Sequence, residues 1–308
     1  VNVIFAIMFI PKRSKLMKNI PLLRSNSILM LFISALITLL SVNQLVAQEY
    51  KIKTIVIDAG HGGKDGTTRG AYSTEKEVAL RTALRLGKLI EESMKDVKVI
   101  YTRNDDTFVP LYERIAIANN AKADLFISIH CNDMPVYPTK YISGYTKNKK
   151  GKKVPIYKTR YAKSTSTRGV ETFVSGSGRL DEQDEYIKRE NASIFLEDNY
   201  KENYDGFGKD DAESAIILSL MKNTFRTQSL KLAKLVQDEY VKVGRVNRGV
   251  QEKSLAVLAR ASMPAILTEI GFLSNPAEED YMNSEDGQIE ITQCILKAIQ
   301  SYKQSVEI

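Results

Sequence analysis

Only two histidines occur in the 308 residues, and each closes an apolar, β-branched run. His61 follows Ile55-Val56-Ile57-Asp58-Ala59-Gly60, and His130 follows Leu125-Phe126-Ile127-Ser128-Ile129. Runs of this kind read as buried strands, whose C-terminal ends are where open α/β sheets place their chemistry. Hydrolytic zinc sites use three nitrogen or carboxylate donors and keep a fourth position for water. Two strand-end histidines supply two of the three. The third is expected from the helix that follows His61, where Glu75 and Glu77 compete; two positions apart on a helix they point about 200° away from each other, so only one can face the metal. Such a site also needs a base to move a proton from water to the leaving group. Glu269 fits, because a carboxylate inside the apolar run Ala265-Ile266-Leu267-Thr268-Glu269-Ile270 is costly unless it faces a cleft or a cation.

Other chemistries fit less well. His130 and Cys131 are strand neighbours and point to opposite faces, so they cannot work as a thiol and its base. The chain has neither a G-x-S-x-G elbow nor a GxxxxGK[ST] phosphate loop.

The elements that must position these residues alternate. Strands are expected at Lys53–Asp58, Val97–Thr102 and Asp124–His130, with helices at Glu75–Met94 and Leu111–Ala121 between them. This order predicts an α/β fold of three layers, a twisted, mixed and mostly parallel sheet flanked by helices. A large insertion follows the second histidine. Within it, Pro138–Arg168 carries ten basic residues and no acid and reads as a long exposed loop, and Gly169–Val174 reads as a strand. Asp181–Glu213 has twelve acidic against four basic residues, with apolar residues interleaved at near-helical spacing. Beyond it are expected a helix at Asn223–Val243, strands at Leu255–Leu258 and Ala265–Ile270, a helix started by Asn275-Pro276, and a last helix at Ser284–Tyr302.

Composition limits the function classes. Residues 1–47 hold five basic and no acidic side chains ahead of and around the apolar run Ile28–Val42, the layout of a cleavable signal peptide with its start at Met17. They account for five of the seven positive charges, leaving +2 for residues 48–308, the expected catalytic domain. The high pI is thus mostly a targeting effect and argues against nucleic-acid binding. Cys131 and Cys294 form no CxxC and are expected as buried, unpaired side chains.

Five motifs then come in order: Ile57–Asp65, Glu75–Leu80, Thr102-Arg103 with Leu111–Asn119, Leu125–Asn132, and Thr268–Pro276. Together they resemble the zinc-dependent N-acetylmuramoyl-L-alanine amidases of the amidase-3 type. The resemblance covers nearly all of Lys51–Tyr302. It implies one zinc ion held by His61, Glu75 and His130, with Glu269 as the catalytic glutamate. The implied reaction is hydrolysis of the amide between N-acetylmuramic acid and L-alanine in peptidoglycan, by a periplasmic or otherwise exported monomer that acts in cell-wall remodelling, daughter-cell separation or turnover. A peptidoglycan-binding protein without activity and a zinc peptidase acting within the stem peptide are the alternatives. Asp58 and Asn132 are expected to orient the ligands, and Arg103 and Arg114 to brace the fold. Some periplasmic members carry an insertion whose helix covers the site until an activator protein displaces it. The acidic stretch 181–213 is similar, with Glu190 or Glu197 as the side chain that would reach the metal.

Overall fold

The structure is a computed structural model that describes residues 30, 50–66, 68–176, 184–204 and 212–307, without the side chains of 201 and 212–224. The expected signal segment 1–47 lies outside the described residues apart from Met30, as do 181–183 and 205–211 of the acidic stretch. Among the described residues no helix is long and apolar enough to cross a membrane.

Residues 51–308 form one compact unit. Its sheet has six strands: β1 (Thr54–Ala59), β2 (Lys98–Tyr101), β3 (Leu125–Asn132), β6 (Val170–Ser175), β7 (Asn247–Lys253) and β8 (Ala265–Phe272), in the order β2-β1-β3-β8-β6-β7. All neighbours run parallel except β6 and β8, which are antiparallel. β4 (Val136–Lys147) and β5 (Lys153–Lys163) form a separate antiparallel ribbon.

Strand alternation divides the core in two. On one face Ile55, Ile57, Ile127, Ile129, Ile266 and Ile270 pack against helices α1 (Glu75–Ser93), α5 (Ala212–Lys242) and α7 (Glu285–Val306). On the other face Val56, Phe126, Phe173 and Leu267 meet α2 (Leu111–Asn120) and the insertion residues Ile187 and Ile194. This is the three-layer, mostly parallel α/β arrangement that the alternating pattern predicts. The remaining helices are α3 (Glu185–Glu190), α4 (Tyr200–Tyr204) and α6 (Pro276–Asn283), the last capped by Asn275, which accepts from Ala277 and Glu278 N–H at 3.0 and 3.2 Å.

Two expectations are corrected, and one strand is added. The exposed loop 138–168 is mostly the β4–β5 ribbon, turned at Asn148–Lys152, where the Asn148 side chain accepts from Lys150 and Lys152 N–H, both at 3.0 Å. Its residues alternate but lack an apolar face, so hydropathy hides the strands. The run Leu255–Leu258 is no strand; Ala256–Leu258 forms a buried 3₁₀ turn, and a short apolar run does not by itself distinguish the two. The nearby strand is β7, a polar sequence at the edge of the sheet, where only partial burial is required.

Candidate metal centre

β1 delivers His61 through a tight turn. His61 itself has φ 59°, a left-handed conformation that costs a side-chain-bearing residue about 1–2 kcal/mol. Arg114 secures it: fully buried, it donates to the carbonyls of His61 at 2.6 Å and Ala59 at 2.7 Å and pairs with Asp58 at 2.9 Å. Arg103 ties the same turn to the first turn of α1, donating to Ala59 O, Gly60 O and Lys76 O. Both arginines thus brace the segment that presents His61. Gly60 is required sterically, because a Cβ there would lie 2.5 Å from the His130 ring.

The start of α1 decides between the two glutamates. Glu77 reaches back to the N–H and hydroxyl of Thr74 at 3.1 and 2.7 Å, closing a capping box on the exposed side. Glu75 is 1% exposed and turns inward, where its Oε1 accepts from Cys131 N–H at 3.0 Å. The loop ahead of it is held by Glu279 of α6, whose carboxylate accepts from the N–H groups of Ala71, Tyr72 and Ser73. Gly70 leaves room for that carboxylate, since a Cβ would approach its oxygen to 2.2 Å.

His61, Glu75, His130 and Glu190 each offer one donor atom, and these atoms lie within 4.8 Å of one another. His61 Nε2 stands 3.2 Å from Glu75 Oε2 and 3.6 Å from Glu190 Oε2, and His130 Nδ1 stands 3.2 Å from Glu190 Oε2. Tetrahedral zinc with ligand bonds near 2.0–2.1 Å spaces its donors by about 3.3–3.4 Å. These three spacings are close to that value, while the group as a whole spans up to 4.8 Å. His61 Nε2, Glu75 Oε2 and Glu190 Oε2 are also buried without a hydrogen-bond partner, although they converge. Buried polar atoms left this way are costly unless an ion joins them. The residues fit a divalent metal of the zinc class.

Among themselves these groups charge one another. Burial opposes the imidazolium at both histidines, but the charge of Glu75 holds His61 well above the usual range, and hydrogen bonds with Glu190 and Glu75 push His130 up to about 9. Burial would raise Glu75, yet the facing His61 holds it down to about 2.

Glu269 is paired in register with His130 on the neighbouring strand, so both side chains leave the same face. It is fully buried. Burial, followed by the charges of Glu190 and Glu75, lifts its carboxyl well above the usual carboxylate range. Its Oε1 accepts from Tyr186 OH at 2.7 Å and its Oε2 has no partner.

Not every expected residue joins the group. Asp58 touches neither histidine; it accepts from Thr102, Arg114 and Ser128 and acts on His61 only through Arg114. Outside the group of four, the carboxylate that meets a histidine is Asp65, whose Oδ2 lies 3.0 Å from His61 Nδ1. Asn132 bonds Glu171 and Arg189 rather than a ligand. Glu197 stays outside because its Oε1 accepts from Leu111 N–H at 2.7 Å and Tyr204 OH at 2.9 Å. Glu190 is therefore the insertion residue at the site, fixed by α3, where Arg189 donates to it at 3.0 Å and also to Asp133 O and Asn132 Oδ1. Tyr186 and Arg189 were not evident in the sequence, since nothing in an acidic, amphipathic stretch marks them. A cleft of about 450 Å³ adjoins α3, and Asn132, Tyr137, Tyr186 and Arg189 line it.

The family model for N-acetylmuramoyl-L-alanine amidase matches residues 55–301. The chain belongs to this amidase family. It is 30% identical over 250 residues to the amidase AmiC of an Escherichia coli O6:H1 strain, covering 80% of this chain and 52% of the relative. It is 26% identical over 289 residues to AmiA of Escherichia coli K12, covering 87% of this chain and 88% of the relative. Against the AmiC relatives the chain thus spans about half their length. Among solved structures, an N-acetylmuramoyl-L-alanine amidase from Clostridium difficile 630 shares the fold with a TM-score of 0.54 and 27% identity, over 83% of this chain and 99% of that one. The fold is that of the amidase catalytic domains, and the family is one of hydrolases.

Proposed function

We propose that this amidase hydrolyses the amide between N-acetylmuramic acid and L-alanine in peptidoglycan, with zinc held by His61, Glu75 and His130. The observation that carries this reading is the convergence of those three residues on one buried point, beside a buried carboxyl on the adjacent strand. Zinc there would supply a Lewis acid and lower the pKa of water. Glu269 does the proton work. Its raised carboxyl pKa suits a group that takes a proton from water and returns it to the departing L-alanine nitrogen. Asp65 keeps the imidazole of His61 oriented, and Arg114 keeps its backbone in place.

The described insertion forms a lock in this account. Glu190 takes the position a hydrolytic site leaves for water, while Tyr186 occupies an oxygen of Glu269. A partner that withdraws α3 would free both at once. The protein acts outside the cytoplasm, delivered by the signal segment read in residues 1–47, and works as a monomer.

Digestion of purified peptidoglycan tests the bond. Stem peptides released with a free L-alanine amino terminus support the muramoyl amidase, and sugar that keeps its alanine would identify a peptidase instead. Release of neither by any form of the protein, Glu190→Ala included, would leave only a wall binder.

A further inference from the structure

The β4–β5 ribbon contributes nothing to either core. Both strands are exposed or half-exposed along their whole length, and a two-stranded ribbon alone is marginal in water. Its surfaces have an unusual chemistry. Residues 136–163 contain nine lysines and arginines, five tyrosines and no acid. Strand pairing sorts them, because directly paired residues share a face. The pairs Ile142 with Tyr157 and Pro138 with Tyr161 put two exposed rings four residues apart on one face, and Lys153 lies 4.3 Å over the ring of Tyr145 on that same side. The other face holds Tyr137 and Tyr141 with Lys158 and Arg160. Tyr157 and Tyr161 are 60% and 73% exposed, so flat rings flanked by cations stand open to solvent.

The ribbon is rooted at the functional site. β4 begins four residues after Asn132, Tyr137 lines the cleft beside α3, and at the return end Lys163 pairs with Asp133. Whatever enters the cleft can continue along the ribbon. The positive charge is local, since residues 48–308 carry a net charge of only +2. Complementary charge calls for an anionic partner, and open tyrosine rings suit flat, partly apolar groups such as sugar rings. A membrane fits less well, because the turn at the tip is polar (Asn148 to Lys152) and offers no apolar side chain to insert.

We infer that the ribbon is a second binding site for the peptidoglycan polymer, in which tyrosine rings stack on sugars and the lysines and arginines meet stem-peptide carboxylates. This rests on the substrate proposed above. The first test is co-sedimentation of the zinc-loaded protein with purified sacculi, comparing the parent with Tyr157→Ser/Lys158→Gln/Arg160→Gln/Tyr161→Ser. A second variant replaces 140–159 by an Asn-Gly turn, which closes the shortened ribbon without its distal part. Cleavage of a small soluble muramoyl peptide, which needs only the metal centre, is measured alongside with Glu190→Ala added to parent and variants so that the lock does not mask it. Retention of the parent should weaken with salt, and the affinity of both variants should fall by roughly tenfold, about 1.4 kcal/mol, with cleavage of the soluble fragment unchanged. Equal sedimentation of parent and variants would overturn the inference. So would ribbon-dependent binding to anionic phospholipid vesicles with none to sacculi. Ribbon-dependent sedimentation by a protein that cleaves no muramoyl amide even with Glu190→Ala would instead leave the ribbon site standing and refute the proposed reaction.

Discussion

His61 shows how one side chain depends on several others. Its Nε2 joins the metal group while Asp65 engages Nδ1, which fixes the tautomer and the ring plane. Asp65→Ala should therefore weaken zinc affinity about 10- to 100-fold, measured by competition with a chelator. An unchanged affinity would remove Asp65 from this role. The two histidines and Glu269 were legible in the sequence because imidazole and carboxylate at strand ends are rare and costly. Asp65 was not, since an aspartate in a glycine-rich loop reads as a turn residue. Asp58 was legible as important for a different reason than expected: it neutralises Arg114. Burial opposes its charge, but Arg114 and the hydroxyls of Ser128 and Thr102 hold its pKa below the usual carboxylate value. A lowered folded-state pKa means that the stabilisation is whole above the unfolded value near 4 and is lost as pH falls through the folded one. Asp58→Asn should cost about 3–5 kcal/mol near neutral pH by leaving the guanidinium buried and unpaired. In denaturant unfolding from neutral to acid pH, that difference should stay flat and then shrink below about pH 4. A difference that grew with acidity would contradict the pairing.

α1 and α3 approach the metal group from opposite origins. The span of α1 is legible in its amphipathic periodicity, but the choice between Glu75 and Glu77 is made by the structure: Glu77 closes the first turn with Thr74, which leaves Glu75 to face inward. α3 has only a local signal, Asp184 accepting from Tyr186 and Ile187 N–H, and its six residues give too little periodicity to fix its direction. Its placement comes from tertiary contacts instead. Ile187 enters the core, Tyr186 stacks on Phe173 with ring centroids 4.5 Å apart, and Asn191 bonds Ser254 and Ala256. If α3 locks the site, Glu190→Ala combined with Tyr186→Phe should raise the rate on peptidoglycan at least about fivefold, the lower end of ordinary coupling energies. A rate that stayed level or fell would show that α3 shapes the cleft and does not gate it. The ribbon escapes sequence reading for a related reason. Strands exposed on both faces carry no hydropathy signal, and only the Asn148 turn and the alternation of tyrosine and lysine hint at them.

The molecule as a whole gathers its cost at one end of the sheet. Two imidazoles and three buried carboxyls stand where β1, β3 and β8 end, and a bound metal would make that gathering tolerable. Stability should therefore be linked to zinc. With free metal about a thousandfold above its Kd the linkage is worth about 4 kcal/mol. For a domain of this size that corresponds to a fall in Tm of roughly 10 °C on chelation, restored by zinc. A Tm indifferent to chelation would mean that the group is a set of ion pairs and no metal site. The fold class follows from periodicity and the two histidines stand out by residue type and position, which act locally, whereas periodicity alone leaves Glu75 and Glu77 as competing choices. The placement of α3 and the course of the ribbon depend on contacts between segments far apart in the chain, and local patterns do not encode those.

The most direct measurement is zinc content together with release of L-alanine-terminated peptides from peptidoglycan, for the parent and for Glu269→Gln in the Glu190→Ala background. One zinc per chain in both proteins, with release lowered by about 10²–10⁴ only in the Glu269 variant, is the expected result. Full release by Glu269→Gln, or a parent that hydrolyses the amide without zinc, would contradict the account.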